Sequence, residues 1–282
     1  MTSKAFSRRS FLTFTAMLPF ALRAQGAAQI PVGLELYSVR NALKSDPMGT
    51  VRAVAGLGYQ CVEFYAPYFD WTESQTKDMR KLMDHLGIHC YSTHNDSSFF
   101  AADKLSRAAD MNQILGCKYM VMSGAGNNAD PDYWRTVAET LNHVSEQLEP
   151  HSLKTGYHNH QFEFTLNNGR RPIEILAKNT KPSVMLQLDV GTCIEAGSDP
   201  VAWIRANPGR IRSLHLKEWS PEPGKGYTVL FGEGVAKWNA IFEAAESVGG
   251  VEYYLIEQEG SRFSELETAK KCLDAFRTTY HA

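Results

Sequence analysis

From Ile30 onward, short runs of β-branched and aromatic residues alternate with amphipathic segments of helical period. Such alternation predicts parallel strands joined by helices, because each helix covers one face of the sheet between two strands. Strands are predicted at Val32–Tyr37, Gln60–Phe64, Ile88–Thr93, Tyr119–Met122, Lys154–Asn159, Val184–Asp189, Arg210–Leu216 and Glu252–Glu257. Helices are predicted, among other places, at Gln75–Leu86, Ala101–Leu115, Pro131–Leu148, Val201–Ala206 and Lys237–Val248.

Eight strand–helix units predict one closed α/β domain, a (β/α)8 or TIM barrel, over residues 29–282. About 254 residues allow roughly 32 for each unit, which matches the ~250 residues typical of this fold. The chief alternative is an open, doubly wound sheet. That fold would need a Gly-rich phosphate turn after its first strand, and Val32–Tyr37 leads into none.

The first 28 residues form a separate segment. Arg8 and Arg9 precede an apolar run that ends at Leu22, and small residues follow it. This pattern is typical of a secretory signal, and the paired arginines resemble a twin-arginine export signal. We therefore expect a signal peptide at residues 1–28, the twin-arginine export machinery as a partner, a periplasmic protein and no stable membrane insertion after export. An uncleaved N-terminal anchor is the alternative.

Composition restricts the partners further. The chain has 29 Lys+Arg and 31 Asp+Glu, a net charge of −2. This balance argues against a nucleic-acid partner, because phosphate neutralisation needs clustered basic residues. The five cysteines are odd in number and contain no CxxC pair, so we interpret them as small core residues rather than a disulfide frame or zinc site. The oligomeric state is left open, a homo-oligomer included.

Polar side chains collect where the last four predicted strands end, which is the catalytic face of a barrel. One ligand-type residue ends each strand, and successive ones are about one strand–helix unit apart: His158, Asp189, His215 and Glu257. A charge at the end of a strand that is buried on both faces requires a partner. Mixed imidazole and carboxylate ligands suit one divalent cation, namely Mn²⁺, Co²⁺, Mg²⁺, Fe²⁺ or Zn²⁺. The sequence therefore predicts a single metal site.

Further polar residues fall at the same rim. Glu35, Glu63 and His94 end the first three strands. Lys217 shares a face with His215, where it would place a positive charge near the metal or serve as a counter-ion for nearby glutamates. His160 shares a face with His158, as an extra ligand or a proton carrier.

These motifs resemble the sugar phosphate isomerase/epimerase family, the xylose isomerase-like TIM barrels. The resemblance covers essentially everything after the leader and rests on the runs Gly33–Arg40, Tyr157–Phe164, Leu188–Gly191, His215–Trp219, Phe231–Gly234 and Ile256–Glu259. In relatives such as ketose 3-epimerases, Glu, Asp, His and Glu from the last four strands hold one divalent ion. By position these roles fall on His158, Asp189, His215 and Glu257. His158 thus stands where the epimerases have a proton-moving Glu.

The resemblance is therefore greater to inosose dehydratase-like enzymes and to members that process keto-sugars or keto-glycosides. It implies an enzyme that removes a proton next to the carbonyl of a small carbohydrate. Glu257 or His160 would be the base, and Lys217 and the metal would stabilise the oxyanion. Substrate contacts are assigned to Glu35, Glu63, His94, Glu163 and Trp219. The enediolate would then be reprotonated, as in isomerisation or epimerisation, or would expel a leaving group, as in dehydration or keto-glycoside elimination.

Aromatic residues in the loops after the strands are candidates for stacking on a sugar ring or for packing: Trp71, Phe99, Phe100, Trp219 and Phe231. Two rival functions belong to other classes. A non-catalytic sugar-binding barrel would bind its ligand without metal. An endonuclease IV-like repair enzyme would need several metals and a basic groove, which the net charge and the export signal oppose.

Overall fold

The computed structural model describes residues 29–167 and 169–280, so the expected signal peptide lies outside the described residues. Eight parallel strands form a closed barrel in sequence order, and the last pairs with the first. The strands are β1 Val32–Glu35, β2 Cys61–Phe64, β3 His89–Asn95, β4 Tyr119–Met122, β5 Lys154–His158, β6 Met185–Asp189, β7 Ser213–Leu216 and β8 Tyr253–Ile256. The prediction of a TIM barrel is confirmed.

Helices alternate with these strands. They are α1 Arg40–Ser45, α2 Pro47–Leu57, α3 Glu73–Leu86, α4 Ala102–Leu115, α5 Pro131–Leu148, α6 Gln161–Phe164, α7 Pro172–Asn179, α8 Val190–Glu195, α9 Pro200–Ala206, α10 Trp238–Ala244 and α11 Glu265–Thr279. Short 3-10 turns lie at Leu36–Val39, Ala66–Asp70, Ser97–Phe100 and Glu149–His151. In the part of the chain that the structure describes, no helix combines the length and apolarity needed to cross a bilayer.

Several predicted element ends shift for identifiable reasons. β1 stops at Glu35, because the Glu35 carboxylate accepts the Tyr37 N–H at 2.6 Å and starts a 3-10 turn. Residues 210–212 precede β7 instead of belonging to it, and the Arg210 N–H closes a turn onto the Asn207 carbonyl. The helix predicted to reach Val248 ends at Ala244 and continues as a π-helical turn, Ala245–Gly249.

The barrel interior is layered from apolar to polar. Inward positions near the start of the even-numbered strands form an apolar cluster of Cys61, Tyr119, Val121, Met185, Tyr253 and Leu255. Because side chains alternate along a strand, the same inward rows continue to Glu63 on β2 and to Gln187 and Asp189 on β6. The larger core lies between the strands and the helices. All five cysteines are buried and free, as the interpretation of core residues requires.

Candidate active site

Three of the expected ligands meet at the carboxyl ends of their strands. Atoms of His158, Asp189 and Glu257 that could bind a metal all lie within 4.8 Å of one another, and the three residues are buried. Asp189 Oδ1 accepts the Thr192 N–H at 3.0 Å, which starts α8. Asp189 Oδ2 is buried, and no described residue forms a hydrogen bond with it. It lies 3.8 Å from Nε2 of His158. Lys217 Nζ lies 3.6 Å from the same oxygen, within ion-pair range but beyond a hydrogen bond. A buried carboxylate oxygen without a hydrogen bond is costly, so this atom favours a closer cation.

Gln187, which the sequence analysis missed, fixes the protonation of His158. The Gln187 Nε2 donates to Glu63 Oε1 at 3.0 Å, so its Oε1 must accept hydrogen bonds. That oxygen lies 3.2 Å from His158 Nδ1 and 2.7 Å from His94 Nε2. His158 therefore carries its proton on Nδ1 and presents a lone pair at Nε2. Burial lowers the pKa of His158 well below its usual value, which keeps the ring neutral. A neutral imidazole nitrogen opposite a carboxylate oxygen that has no hydrogen bond fits a divalent cation.

His215 is placed differently from the other three expected ligands. Its Nδ1 lies 2.6 Å from Glu257 Oε2, and its Nε2 lies 2.8 Å from Glu63 Oε2. Both ring nitrogens must donate, so the ring is an imidazolium. Burial alone would lower the pKa of His215, but the charge of Glu63 and the hydrogen bonds to both carboxylates raise it to about 10. His215 would have to lose one of these protons before it could bind a metal.

Both oxygens of the Glu63 carboxylate accept hydrogen bonds from other side chains of the protein. It accepts the Ser92 hydroxyl and Gln187 on one oxygen, and His215 and His94 approach the other at 2.8 and 3.1 Å. Burial would raise its pKa, but the two histidines and these hydrogen bonds lower the pKa to about 2. The structure therefore places Glu63 as a fixed anion beneath the site, whereas the sequence analysis assigned it to a substrate hydroxyl.

Lys217 lies among three carboxylates. Its Nζ is 3.4 Å from Glu257 Oε1 and 3.6 Å from Asp189 Oδ2, and it also contacts Glu259. Burial would lower the pKa of Lys217, but these charges raise it well above its usual value. In turn, Lys217 and His215 hold the pKa of Glu257 well below its usual range against the opposing effect of burial. Lys217 and Glu257 are therefore a stable cation and a stable anion.

A cavity of about 290 Å³ opens onto this cluster. Its lining contains five of the predicted site residues and also two tyrosines and a serine that were not predicted: Glu35, Tyr37, Tyr65, Ala66, His94, Ser123, His158, His160, Glu257 and Glu259. Tyr37 and Tyr65 meet edge to face with ring centroids 5.3 Å apart. Asp189, His215 and Lys217 do not line the cavity, but each contacts a residue that does. Asp189 lies against His158, and both His215 and Lys217 contact Glu257.

Glu35 is a buried carboxyl group with one free oxygen. Its Oε2 accepts the Tyr37 N–H at 2.6 Å, and its Oε1 has no hydrogen-bond partner among the described residues. Burial, followed by the repulsion of Glu257 and Glu63, raises the pKa of Glu35 well above its usual value. Glu35 therefore lines the cavity as a carboxyl group whose surroundings favour the protonated form.

Three of the five predicted substrate contacts lie outside the cavity lining: Glu63, described above, and Glu163 and Trp219. Glu163 is buried and accepts the Tyr157 hydroxyl at 2.6 Å and the His160 backbone N–H at 3.0 Å, so it fixes the turn that carries His160. Trp219 donates its backbone N–H to the neighbouring carboxylate of Glu218 at 3.1 Å. Glu163 lies in the short helix α6 and Trp219 in a loop, so neither follows the alternation of a strand, and the sequence could not show which way these side chains point.

The carboxylate of Glu218 forms hydrogen bonds with the glycine-containing loop Phe231–Gly234 and its surroundings. It is not among the carboxylates that contact Lys217. This buried carboxylate accepts the Gly232 N–H at 3.0 Å and the Trp238 indole N–H at 2.7 Å. A Cβ atom at Gly234 would lie only 2.4 Å from Glu218 Oε1. This close approach explains why glycine stands there.

Four of the five loop aromatics pack against the protein, which is one of the two roles considered for them. Phe99 stacks on Phe69 with ring centroids 3.7 Å apart, and Phe231 stacks on Trp238 at 4.5 Å. Trp71 packs edge to face on Phe64, and Phe100 is buried.

Residues 51–279 match the family model described as Xylose isomerase-like TIM barrel. A sugar phosphate isomerase/epimerase from Parabacteroides distasonis superposes with a TM-score of 0.76 at 24% identity, covering 93% of this chain and 99% of that one. The IOLI protein, solved with a bound zinc atom, superposes with a TM-score of 0.68 at 16% identity, covering 89% of this chain and 100% of that one. These two similarities concern the fold.

One curated relative is similar in sequence. An inosose dehydratase from Geobacillus thermodenitrificans is 23% identical over 176 residues, which are 51% of this chain. The match spans 58% of the dehydratase, so less than two thirds of that relative is covered.

Proposed function

The chain belongs to the Xylose isomerase-like TIM barrel family, and from this premise we propose that it is a divalent-metal-dependent enzyme that removes a proton next to the carbonyl of a sugar or keto-sugar. The observation that carries the proposal is the lone pair of His158 Nε2 facing the unsatisfied Oδ2 of Asp189 beside Glu257. A divalent cation held by these residues would offset the negative charge that develops on the substrate's carbonyl oxygen.

The charges around the cavity support a cation. Three buried carboxylates, Glu63, Asp189 and Glu257, and the exposed Glu259 face the two cationic side chains of the cluster, His215 and Lys217. The negative charge is therefore in excess, and a low-dielectric interior makes such an excess costly. The zinc atom in a structure of similar fold is consistent with this balance.

Of the two candidate bases, His160 suits proton transfer better than Glu257. Glu257 is held by both His215 and Lys217, and its lowered pKa makes it a weak base and a good metal ligand. His160 lines the cavity, its ring centroid is 5.1 Å from that of His158, and Glu163 fixes its backbone. We assign His160 to the removal of the proton from carbon and Glu35 to proton donation on the substrate. Lys217 acts as a positioning residue that holds Glu257 ionised and, at Asp189, opposes the burial that raises the pKa of that carboxyl group.

The lining also favours a neutral carbohydrate over a phosphorylated one. Glu257 and Glu259 are its anionic members, Glu35 has a raised pKa, and no lysine or arginine stands among the lining residues. Lys217, which contacts both anionic glutamates, is already held by them and by Asp189. A phosphate would meet this acidic lining without a cationic side chain to neutralise it. Tyr37 and Tyr65 offer an apolar surface to the C–H face of a sugar ring.

Deuterium exchange tests the proposal. The metal-loaded protein is incubated in D₂O with free ketoses, inososes and 3-keto-glycosides, and NMR follows the hydrogen next to the carbonyl. We expect exchange with at least one class, its loss on chelation and its recovery when metal is restored. His160→Asn should lose exchange while binding metal as the unaltered protein does. Isomerised, epimerised and eliminated products are distinguished in the same spectra.

Absence of exchange with every class, in protein shown to hold metal, would contradict the enzyme proposal. The rival function, a non-catalytic sugar-binding barrel, predicts calorimetric binding that chelation leaves unchanged.

A further inference from the structure

Two buried thiols lie in contact on the side of the barrel away from its interior. The Sγ atoms of Cys90 and Cys117 are 3.2 Å apart, with Cys117 donating to Cys90. Cys90 is the second residue of β3, and Cys117 follows Gly116, the residue that ends α4. Both thiols belong to the core between the strands and the helices, whereas Cys61 faces the barrel interior. Cys193 and Cys272 lie on other helices, α8 and α11.

The backbone places the two residues side by side. The register of β3 with β4 begins at Ser92 opposite Tyr119, and one step earlier the Lys118 N–H donates to the Tyr91 carbonyl at 2.8 Å. Cys90 and Cys117 are therefore the next lateral pair. Neighbouring chains at this spacing are about 4.8 Å apart, which lies within the ~4.4–6.8 Å between Cα atoms that a disulfide spans. Closing the bond requires the sulfur atoms to approach by only about 1 Å.

The thiol pair adjoins an irregularity that shapes the site. The register between β2 and β3 shifts at Tyr91, so that Glu63 pairs with Ser92 directly after Val62 pairs with Cys90. The Cys90 thiol donates to the Ser92 carbonyl at 3.2 Å across this bulge. Bulges beside active sites re-aim the side chains that follow them. Here the side chains that follow are Ser92 and His94, which both contact Glu63.

We propose that Cys90 and Cys117 are a redox modification site, and that they form a reversible disulfide which braces β3 against the end of α4. A small disulfide such as oxidised glutathione serves as the oxidant. One protein thiolate attacks it, forming a mixed disulfide and releasing one glutathione thiolate. The second protein thiolate attacks the protein sulfur of the mixed disulfide, forms the Cys90–Cys117 bond and releases the second glutathione. The two protons of the protein thiols end on the two glutathione molecules, which have gained two electrons.

Burial slows this reaction, because both thiols are enclosed by the core and the oxidant must reach one of them. It raises the pKa of the Cys117 thiol, so the attacking thiolate is scarce at neutral pH. Oxidation therefore proceeds faster at mildly alkaline pH, as the thiolate population rises.

Peptide mapping tests the pairing. The full chain is incubated with oxidised glutathione at pH 8.5, its free thiols are alkylated and it is digested with trypsin without reductant. We expect a linked peptide joining residues 82–104 to residues 108–118, three alkylated cysteines and full reversal by dithiothreitol. The oxidised protein should also melt at a temperature about 5 °C higher, because the bond restricts the unfolded chain.

Matched variants separate the pair from the other thiols. Cys272→Ser should retain the linked peptide and the shift in melting temperature, whereas Cys117→Ser should lose both. Five alkylated cysteines after oxidation, or a linkage that involves Cys61, Cys193 or Cys272, would overturn the proposal. None of these measurements depends on sugar chemistry. They therefore test the disulfide whether or not the proposed enzymatic function is correct.

Discussion

The imidazole of His215, on the seventh strand, lies 2.8 Å from the carboxylate of Glu63, on the second. These strands are not neighbours in the closed order, so the contact is made across the barrel interior. Both side chains are fully buried. The pair holds a protonated histidine directly beneath the proposed metal ligands. Because His215 must be protonated to make this contact, the free energy of unfolding depends on pH.

The first prediction is a loss of stability of the metal-free protein at alkaline pH. Folding raises the pKa of His215 from 6.5 to about 10, so its contribution is complete below pH 6.5 and is lost as the pH rises through about 10. We expect the urea midpoint to fall across this range. His215→Gln should show a shallower fall over the same interval, and equal slopes for the two proteins would refute the assignment.

A second prediction concerns Asp189, whose Oδ2 has no hydrogen bond and faces His158. Asp189→Asn keeps the size of the side chain but removes its charge, so metal affinity measured by chelator competition should fall at least about 100-fold. Glu233→Gln, which alters an exposed ion pair with Arg262, is the matched control and should bind metal normally. Unchanged affinity in Asp189→Asn would place the metal elsewhere.

A third prediction tests the role of Gln187 in setting the His158 tautomer. Gln187→Leu removes the acceptor of the Nδ1 proton, so the ring is free to turn and to protonate at Nε2. Metal affinity should fall about 10–100-fold, the usual effect of losing a partner of a metal-bound histidine. NMR of the imidazole nitrogens should show mixed tautomers. Gln113→Leu, at an exposed helix position, should change neither property.

A fourth prediction concerns the loop that Glu218 holds. Gly234→Ala would push a methyl group against Glu218 Oε1 and the Trp219 carbonyl, and should destabilise the protein by about 1–3 kcal/mol. Gly260→Ala, where a Cβ meets no atom within 4 Å, should lie within about 0.5 kcal/mol of the unaltered protein. Thermal melting of the two variants compares them, and equal losses would show that the close contact is unimportant.

Much of the fold was predictable because its signals are local. Gly87 and Gly116 end α3 and α4 with φ angles of +67° and +80°, the left-handed conformation that glycine favours. Pro131 opens α5 at the predicted residue, and Pro200 opens α9 one residue before the predicted start, both at the first helical position that proline favours. The strand ends were less predictable, since a side chain such as Glu35 can start a turn inside an apparently continuous apolar run.

The site was predictable where topology alone decides placement. Parallel strands bring their carboxyl ends to one rim, which explains why His158, Asp189 and Glu257 were found from spacing. Gln187 was missed, although an amide two residues before Asp189 on an inward row was a usable signal. The protonation of His215 was not predictable, because it depends on a carboxylate that comes from across the barrel.

That cross-barrel contact has a consequence for how the chain acquires its chemistry. Glu63 and His215 are separated by 152 residues, so a ribosome must synthesise three quarters of the protein before the two can meet. A fragment cut between the fourth and fifth strands would carry one partner without the other, and its ionisable group would remain uncompensated. The proposed active site is thus assembled only when the barrel closes. A half-length product has neither the complete site nor the closed barrel.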